Sequence, residues 1–262
     1  MDHRIDDQRR VTRRDALRVA GGIAAAGLAA CRAAPHTDGP PAAAAGRLLT
    51  RPSTPTLVPA TGLSSLGLAS GRDGLLYVPP TYRADTQAPL VLMLHGAGGS
   101  SEGGIRPFLP LAASAGLILL APDSRGRTWD FLYGPYGADV AFIDQALSHA
   151  FHRCAIDASR VVIEGFSDGA SYALSLGLTN GDLFSRIVAF SPCILAPAAH
   201  AGRPRIFLSH GTDDHVLPVD RCRRRLAERL TGEGYVVAYR EFAGPHTVPS
   251  EIARAAVEWI RA

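Results

Sequence analysis

Lysine is missing altogether: each of the 27 basic residues is an arginine. That excludes chemistry needing an amine side chain, including Schiff-base and pyridoxal-phosphate reactions, P-loop phosphate transfer and a serine–lysine dyad. Cysteine is scarce. Of Cys31, Cys154, Cys193 and Cys222, none is followed by a second Cys or a His at zinc-ligand spacing. His149 and His152 stand three apart in a helical pattern but have no third ligand in view, so no metal and no cofactor is expected. Long apolar runs are absent as well. The stretch 19–30 is too short and too rich in Gly and Ala to span a bilayer stably. Net charge is small: of the formal +3, residues 1–18 supply six Arg and four Asp. A near-neutral body carries no electrostatic footprint for nucleic acid. The local cluster Arg221, Arg223, Arg224 and Arg225 reads as a solvated helix face.

The N-terminus does carry a pattern. Arg13-Arg14 precede the apolar stretch 19–30, and the segment resembles a twin-arginine export signal, with Ala16 where that pattern usually has Phe. Leu28-Ala29-Ala30-Cys31 behind it resembles a bacterial lipobox. The resemblance implies cleavage before Cys31 and a diacylglycerol on its thiol. Residues 1–31 are thus expected to be an export signal, which places the mature protein in the periplasm or at the cell surface, attached to a membrane through Cys31. Residues 32–71, dominated by small residues and proline, read as a tether, and 72–262 as the catalytic domain. With Cys31 lipidated, three cysteines remain, enough for one internal disulfide. The sequence leaves its pairing open.

From about residue 72 short apolar runs alternate with helical patterns. Runs at 75–78, 90–94, 117–120, 161–163, 187–190, 206–208 and 235–242 read as strands, and 104–115, 138–153, 168–180, 219–232 and 249–261 as helices. Such alternation predicts a mostly parallel sheet flanked by helices, an α/β fold. Functional residues then belong at the carboxyl ends of the strands.

Gly165-Phe166-Ser167-Asp168-Gly169 falls at one such end, between the run 161–163 and a helical stretch. A tight strand-to-helix turn needs glycine where backbones nearly touch, and it presents the serine as a nucleophile. A serine hydroxyl also needs a base, and the base an acid to orient it. In this architecture the chain order is Ser, acid, His. His210-Gly211-Thr212-Asp213-Asp214-His215-Val216-Leu217-Pro218 follows a strand, and Gly244-Pro245-His246-Thr247 follows the last one. His246 is the expected base, since His210 and His215 flank the acid within one loop.

The set resembles the α/β-hydrolase superfamily, in particular phospholipase/carboxylesterase-like and polyhydroxybutyrate-depolymerase-like serine esterases, over about residues 72–262. Matching the His-Gly-x-x-Asp-x-x-Val-Pro signature selects Asp214 over Asp213 as the acid. Leu94-His95-Gly96-Ala97-Gly98-Gly99 resembles the His-Gly loop, which implies oxyanion donors at the N–H of Ala97, with Gly98 as runner-up, and of Asp168. Trp129 is a candidate substrate contact, with Phe131 beside it, although Trp129 could equally cover core. Connections are short, so no large cap domain is expected. The resemblance implies an ester substrate, small or polymeric, cleaved through an acyl-enzyme without cofactor. A peptidase or acyltransferase would carry the same triad, and a surface lipoprotein could keep it idle.

Overall fold

The computed structural model describes residues 41–262. The expected export signal and Cys31 lie outside the described residues. Eight strands form one sheet: β1 (Gly62–Ser65), β2 (Gly74–Val78), β3 (Ala88–Leu94), β4 (Ile118–Pro122), β5 (Ile156–Phe166), β6 (Arg186–Phe190), β7 (Arg205–Gly211) and β8 (Val237–Phe242). Their order is β1-β2-β4-β3-β5-β6-β7-β8. Strand β2 runs antiparallel to both β1 and β4, and every pairing from β4 to β8 is parallel. The continuous apolar runs of β3, β4 and β6 follow from this, because their residues are covered on both faces.

Among the described residues, seven α-helices accompany the sheet: α1 (Pro41–Ala44), α2 (Ser101–Ile105), α3 (Leu109–Ala115), α4 (Ala138–Arg153), α5 (Asp168–Thr179), α6 (Val219–Gly232) and α7 (Ser250–Arg261). One face packs against α4, α5 and α6, through residues such as Ile143, Leu147, Leu174 and Leu230. The other packs against α2, α3 and α7, through Ile105, Ala112, Ala256 and Ile260. The chain leaves β3 outward to β4 and returns to β5 on the other side. The loops after β3 and β5 therefore flank the point where strand order reverses, the crevice in which α/β sheets place ligands.

Three expectations need correction. The helix predicted over 104–115 is two, α2 and α3, separated at Pro107, whose missing N–H cannot continue the ladder. Strand β1 was not expected; its Gly-Leu-Ser-Ser sequence lies exposed at the sheet edge and carries no apolar signal. The stretch 41–71 is no free tether. Leu48 is fully buried, its N–H donates to Asn180 Oδ1 (2.9 Å), and the N–H groups of Leu49 and Thr50 donate to Asp144. Arg47 and Arg51 both pair with Asp182. Few large residues are needed to dock a segment whose backbone donors find fixed carboxylate and amide acceptors.

The disulfide left open by the sequence joins Cys193 and Cys222, and Cys154 is a buried free thiol.

Candidate active site

Ser167 stands between β5 and α5 with φ 58° and ψ −120°, a left-handed backbone for a residue with a Cβ. The surroundings impose it. A Cβ at Gly165 would collide with the Gly169 carbonyl, and one at Gly169 with the carbonyl of Leu94 on β3. Ser167 N–H is anchored on Phe190 O (2.9 Å) at the end of β6. The turn is thus clamped from both neighbouring strands, with the side chain held at the positive end of α5.

The loops after β7 and β8 bring the partners. Thr212 N–H donates to Phe242 O (2.9 Å) and Asp213 N–H to Gly244 O (3.0 Å), and a Cβ at Gly211 would strike that same Gly244 carbonyl. The tight crossing sets His246 over the acid. His246 Nδ1–H donates to Asp214 Oδ2 (2.6 Å), and Nε2 accepts from Ser167 Oγ–H (2.9 Å). The His246 ring also packs on Phe166, centroids 4.7 Å apart. Asp214 is buried, whereas Asp213 is exposed. Burial opposes the Asp214 charge, but the N–H of Leu217 and the adjacent His246 outweigh it and hold the carboxyl below its usual range. The fully buried His210, set aside as the base in the sequence, donates from Nε2 to Leu217 O (2.7 Å) and lies 3.1 Å from Asp214 Oδ2.

The loop after β3 reaches Ser167 from the other side: a Cβ at Gly96 would lie 3.4 Å from Ser167 Cβ. Gly98 N–H is taken by Arg127 O (2.8 Å) and Gly99 N–H by Gly96 O (3.0 Å). Among the described residues no acceptor takes the N–H of Ala97 or of Asp168. Of the two sequence candidates in this loop, Ala97 therefore keeps a free donor and Gly98 does not.

Trp129 is a correction. Its side chain has no exposed surface, donates from Nε1 to His95 O (2.8 Å) and stacks on Tyr172 at 5.1 Å. A ring without accessible surface cannot touch an ester; it buttresses the His95 loop. Phe131 belongs to the same cluster, stacked on Tyr136 at 5.6 Å. Buried Asp139 ties the segment down, accepting from Arg125 N–H and Asp130 N–H (2.7 Å), and burial raises its carboxyl to about 6. The space open to a ligand lies elsewhere. A cavity of about 450 Å³ adjoins His246 and Gly96, walled by Phe166, Pro107, Pro110 and Val248, with Arg106 also on its lining. Among the described residues no cluster of His, Cys, Asp and Glu could hold a metal ion.

Residues 140–261 match the phospholipase/carboxylesterase family. A probable feruloyl esterase C of Aspergillus niger is 30% identical over 171 residues, 62% of each chain. The chain thus spans less than two thirds of the length of the curated relatives it matches. Among solved structures, esterase PE8 superimposes with a TM-score of 0.60 at 24% identity, over 77% of this chain and 99% of that one. A ferulic acid esterase of Anaeromyces mucronatus, in complex with ferulic acid, gives 0.57 at 19% identity, over 78% and 90%. Sheet order, nucleophile turn and the structural likenesses show the α/β-hydrolase fold, and in sequence the chain is similar to esterases.

Proposed function

We propose that the protein hydrolyses carboxylic esters through Ser167, His246 and Asp214. The observation that carries this reading is the position of His246, within hydrogen-bond reach of Ser167 Oγ at 2.9 Å and of Asp214 Oδ2 at 2.6 Å. His246 takes the hydroxyl proton as Oγ attacks the ester carbonyl. The oxyanion is received by the N–H groups of Ala97 and Asp168. Return of the proton to the departing alkoxide releases the alcohol and leaves an acyl-Ser167. Water, deprotonated by the same His246, then frees the acid. No cofactor enters the scheme.

The cavity beside His246, walled by Phe166, Pro107, Pro110 and Val248, has room for an acyl group, and the relatives named for feruloyl esters favour an aromatic acid. A fluorophosphonate probe is expected to label Ser167, and Ser167→Ala to abolish turnover of p-nitrophenyl esters. Methyl ferulate is expected to give a higher kcat/KM than methyl butyrate. A folded protein that neither reacts with the probe nor turns over any ester would end the reading.

We propose further that the protein works outside the cytoplasm, with residues 1–30 removed and Cys31 lipidated. The Cys193–Cys222 bridge supports an oxidising compartment. Mass spectrometry of the mature N-terminus tests this: a diacylglyceryl-cysteine at position 31 is expected, and an unmodified chain extending past it would refute it. Among the described residues no helix is long and apolar enough to cross a membrane.

A further inference from the structure

The His95 loop can be followed bond by bond, and the chain of contacts leads to a residue far from it in sequence. His95 O accepts from Trp129 Nε1–H (2.8 Å). Gly96 O sits 2.7 Å from His95 Nδ1 and accepts from Gly99 N–H (3.0 Å). A trans peptide points its C=O and N–H in opposite directions. Two donors holding Gly96 O therefore aim the Ala97 N–H of the same peptide plane away from them, into the open.

The arrangement depends on which ring nitrogen of His95 carries the proton. Ser124 N–H donates to Nε2 (3.0 Å), and a backbone N–H can only donate. Nε2 must therefore be bare and Nδ1 protonated, the tautomer that can donate to Gly96 O. A second donor enforces this. The Arg72 guanidinium places one NH2 group 3.2 Å from His95 Nε2 and 2.8 Å from Gly99 O, while its Nε–H donates to Ser124 O (2.5 Å). Arg72 thus grips both the carbonyl end of the His95 loop and the loop after β4.

Topology explains why a residue of the β1–β2 connection can do this. Because β2 is antiparallel to β4, with Gly74 opposite Pro122, the entry to β2 lies at the carboxyl end of β4. Asp73 fixes the connection, accepting from Ser65 Oγ–H and from the N–H groups of Gly67, Leu68 and Ala69, and its own carbonyl accepts from Asp123 N–H (2.9 Å).

We propose that Arg72 is a positioning residue for the oxyanion-binding N–H of Ala97, acting through His95. The inference rests on the esterase reading above. It assigns to the antiparallel edge of the sheet a part in transition-state stabilisation.

The test compares Arg72→Gln and Arg72→Lys with the wild-type protein. Thermal unfolding, kcat and KM for p-nitrophenyl acetate, and Ki for an aryl trifluoromethyl ketone are measured on each. The ketone's tetrahedral adduct needs the same N–H donors. Removing a whole oxyanion donor costs about 10²–10³ in kcat, so misaiming one is expected to lower kcat in Arg72→Gln by roughly 10- to 100-fold. KM is expected to stay within about twofold, since the oxyanion contact strengthens only in the transition state. Ki should weaken by the same factor as kcat. Arg72→Lys, whose single ammonium cannot serve acceptors on two loops in the guanidinium's fork geometry, should fall between. If Arg72→Gln fails to fold, Arg72→Lys decides by the same split. Wild-type kcat and Ki in a folded variant, or a loss seen only in KM, would overturn the assignment. Absence of ester turnover by the wild-type protein would instead sink the esterase reading itself.

Discussion

Asp213 and Asp214 are chemically identical neighbours with opposite surroundings. Asp214 Oδ1 accepts from Val216 N–H (3.0 Å) and Leu217 N–H (2.8 Å), while Oδ2 faces His246. Asp213 projects into solvent. Asp214→Asn should lower kcat on the order of 10³–10⁴-fold, because an amide no longer favours the required tautomer and charge of His246. Asp213→Asn should leave kcat within about twofold. Steady-state kinetics of the two variants check this, and a severe Asp213 effect would move the acid by one residue. Glu164 presents a different problem. It is buried on β5 with Oε2 unpaired, and burial raises its pKa well above 4.5. The native state then keeps a proton that the unfolded chain releases, so Glu164 subtracts stability as pH rises through that interval. Relative to Glu164→Gln, the wild type is expected to lose up to about 1.4 kcal/mol for each pH unit in that window. Urea unfolding at several pH values above 5 measures it; a pH-independent gap would show that the carboxyl is not held neutral. The meeting of Ser167, Asp214 and His246 was legible in the sequence because the proposed triad calls for those residue types at strand ends, in that order. Arg72 and Glu164 were not, and Trp129 was left between substrate contact and core, because what a side chain touches depends on strands that meet only in the folded sheet.

At the scale of elements, α5 shows how the nucleophile's helix also organises a loop. Ser171, Ser175 and Thr179 stand four apart on one face, and Ser175 and Thr179 donate back to the carbonyls of Ser171 and Ser175 at 2.8 Å each. Their oxygens then accept from the other side: Ser171 from Cys193 and Ile194 N–H, Ser175 from Ala196 N–H, Thr179 from Ala198 N–H. The segment after β6 is thereby pinned along the helix without regular structure of its own. Ser175→Ala leaves the Ala196 N–H without its partner and should cost about 1–3 kcal/mol. Chemical denaturation is the measurement. A Ser175→Ala cost below about 0.5 kcal/mol would mean that water replaces the hydroxyl. This hydroxyl stripe was visible in the sequence as a spacing, yet its meaning was not, since its acceptor role belongs to a partner twenty residues away. The helices α4, α5, α6 and α7 were legible because each keeps one periodic pattern between clear ends. The pair α2 and α3 was not, because the apolar spacing runs on across Pro107 while the hydrogen-bond ladder does not.

For the whole molecule, the groups that meet at Ser167 come from the ends of β3, β5, β7 and β8, so the sheet sets their approximate positions and the loops set the final ångström. The Cys193–Cys222 bridge joins the segment after β6 to helix α6. Cys193 lies just past the end of β6, whose Phe190 carbonyl anchors Ser167 N–H. Cys222 lies in the first turn of α6, which begins directly after the loop that carries Asp214. The bridge therefore spans from the nucleophile's anchor to the acid's loop. With a sequence separation of 29, closing it removes chain entropy from the unfolded state worth roughly 3–4 kcal/mol. In a domain of this size that corresponds to a Tm lower by about 10 °C on reduction. Thermal unfolding with and without dithiothreitol should show the drop, and the Cys193→Ser/Cys222→Ser double variant should reproduce it and respond no further to reductant. Because the triad's hydrogen bonds do not pass through the bridge, the reduced protein below its own Tm should keep ester turnover within a few-fold. If reduction instead abolished turnover while the fold stayed intact, the bridge would be holding Asp214 in place, not merely the chain together. The two outcomes separate a staple for the fold from one for the acid loop.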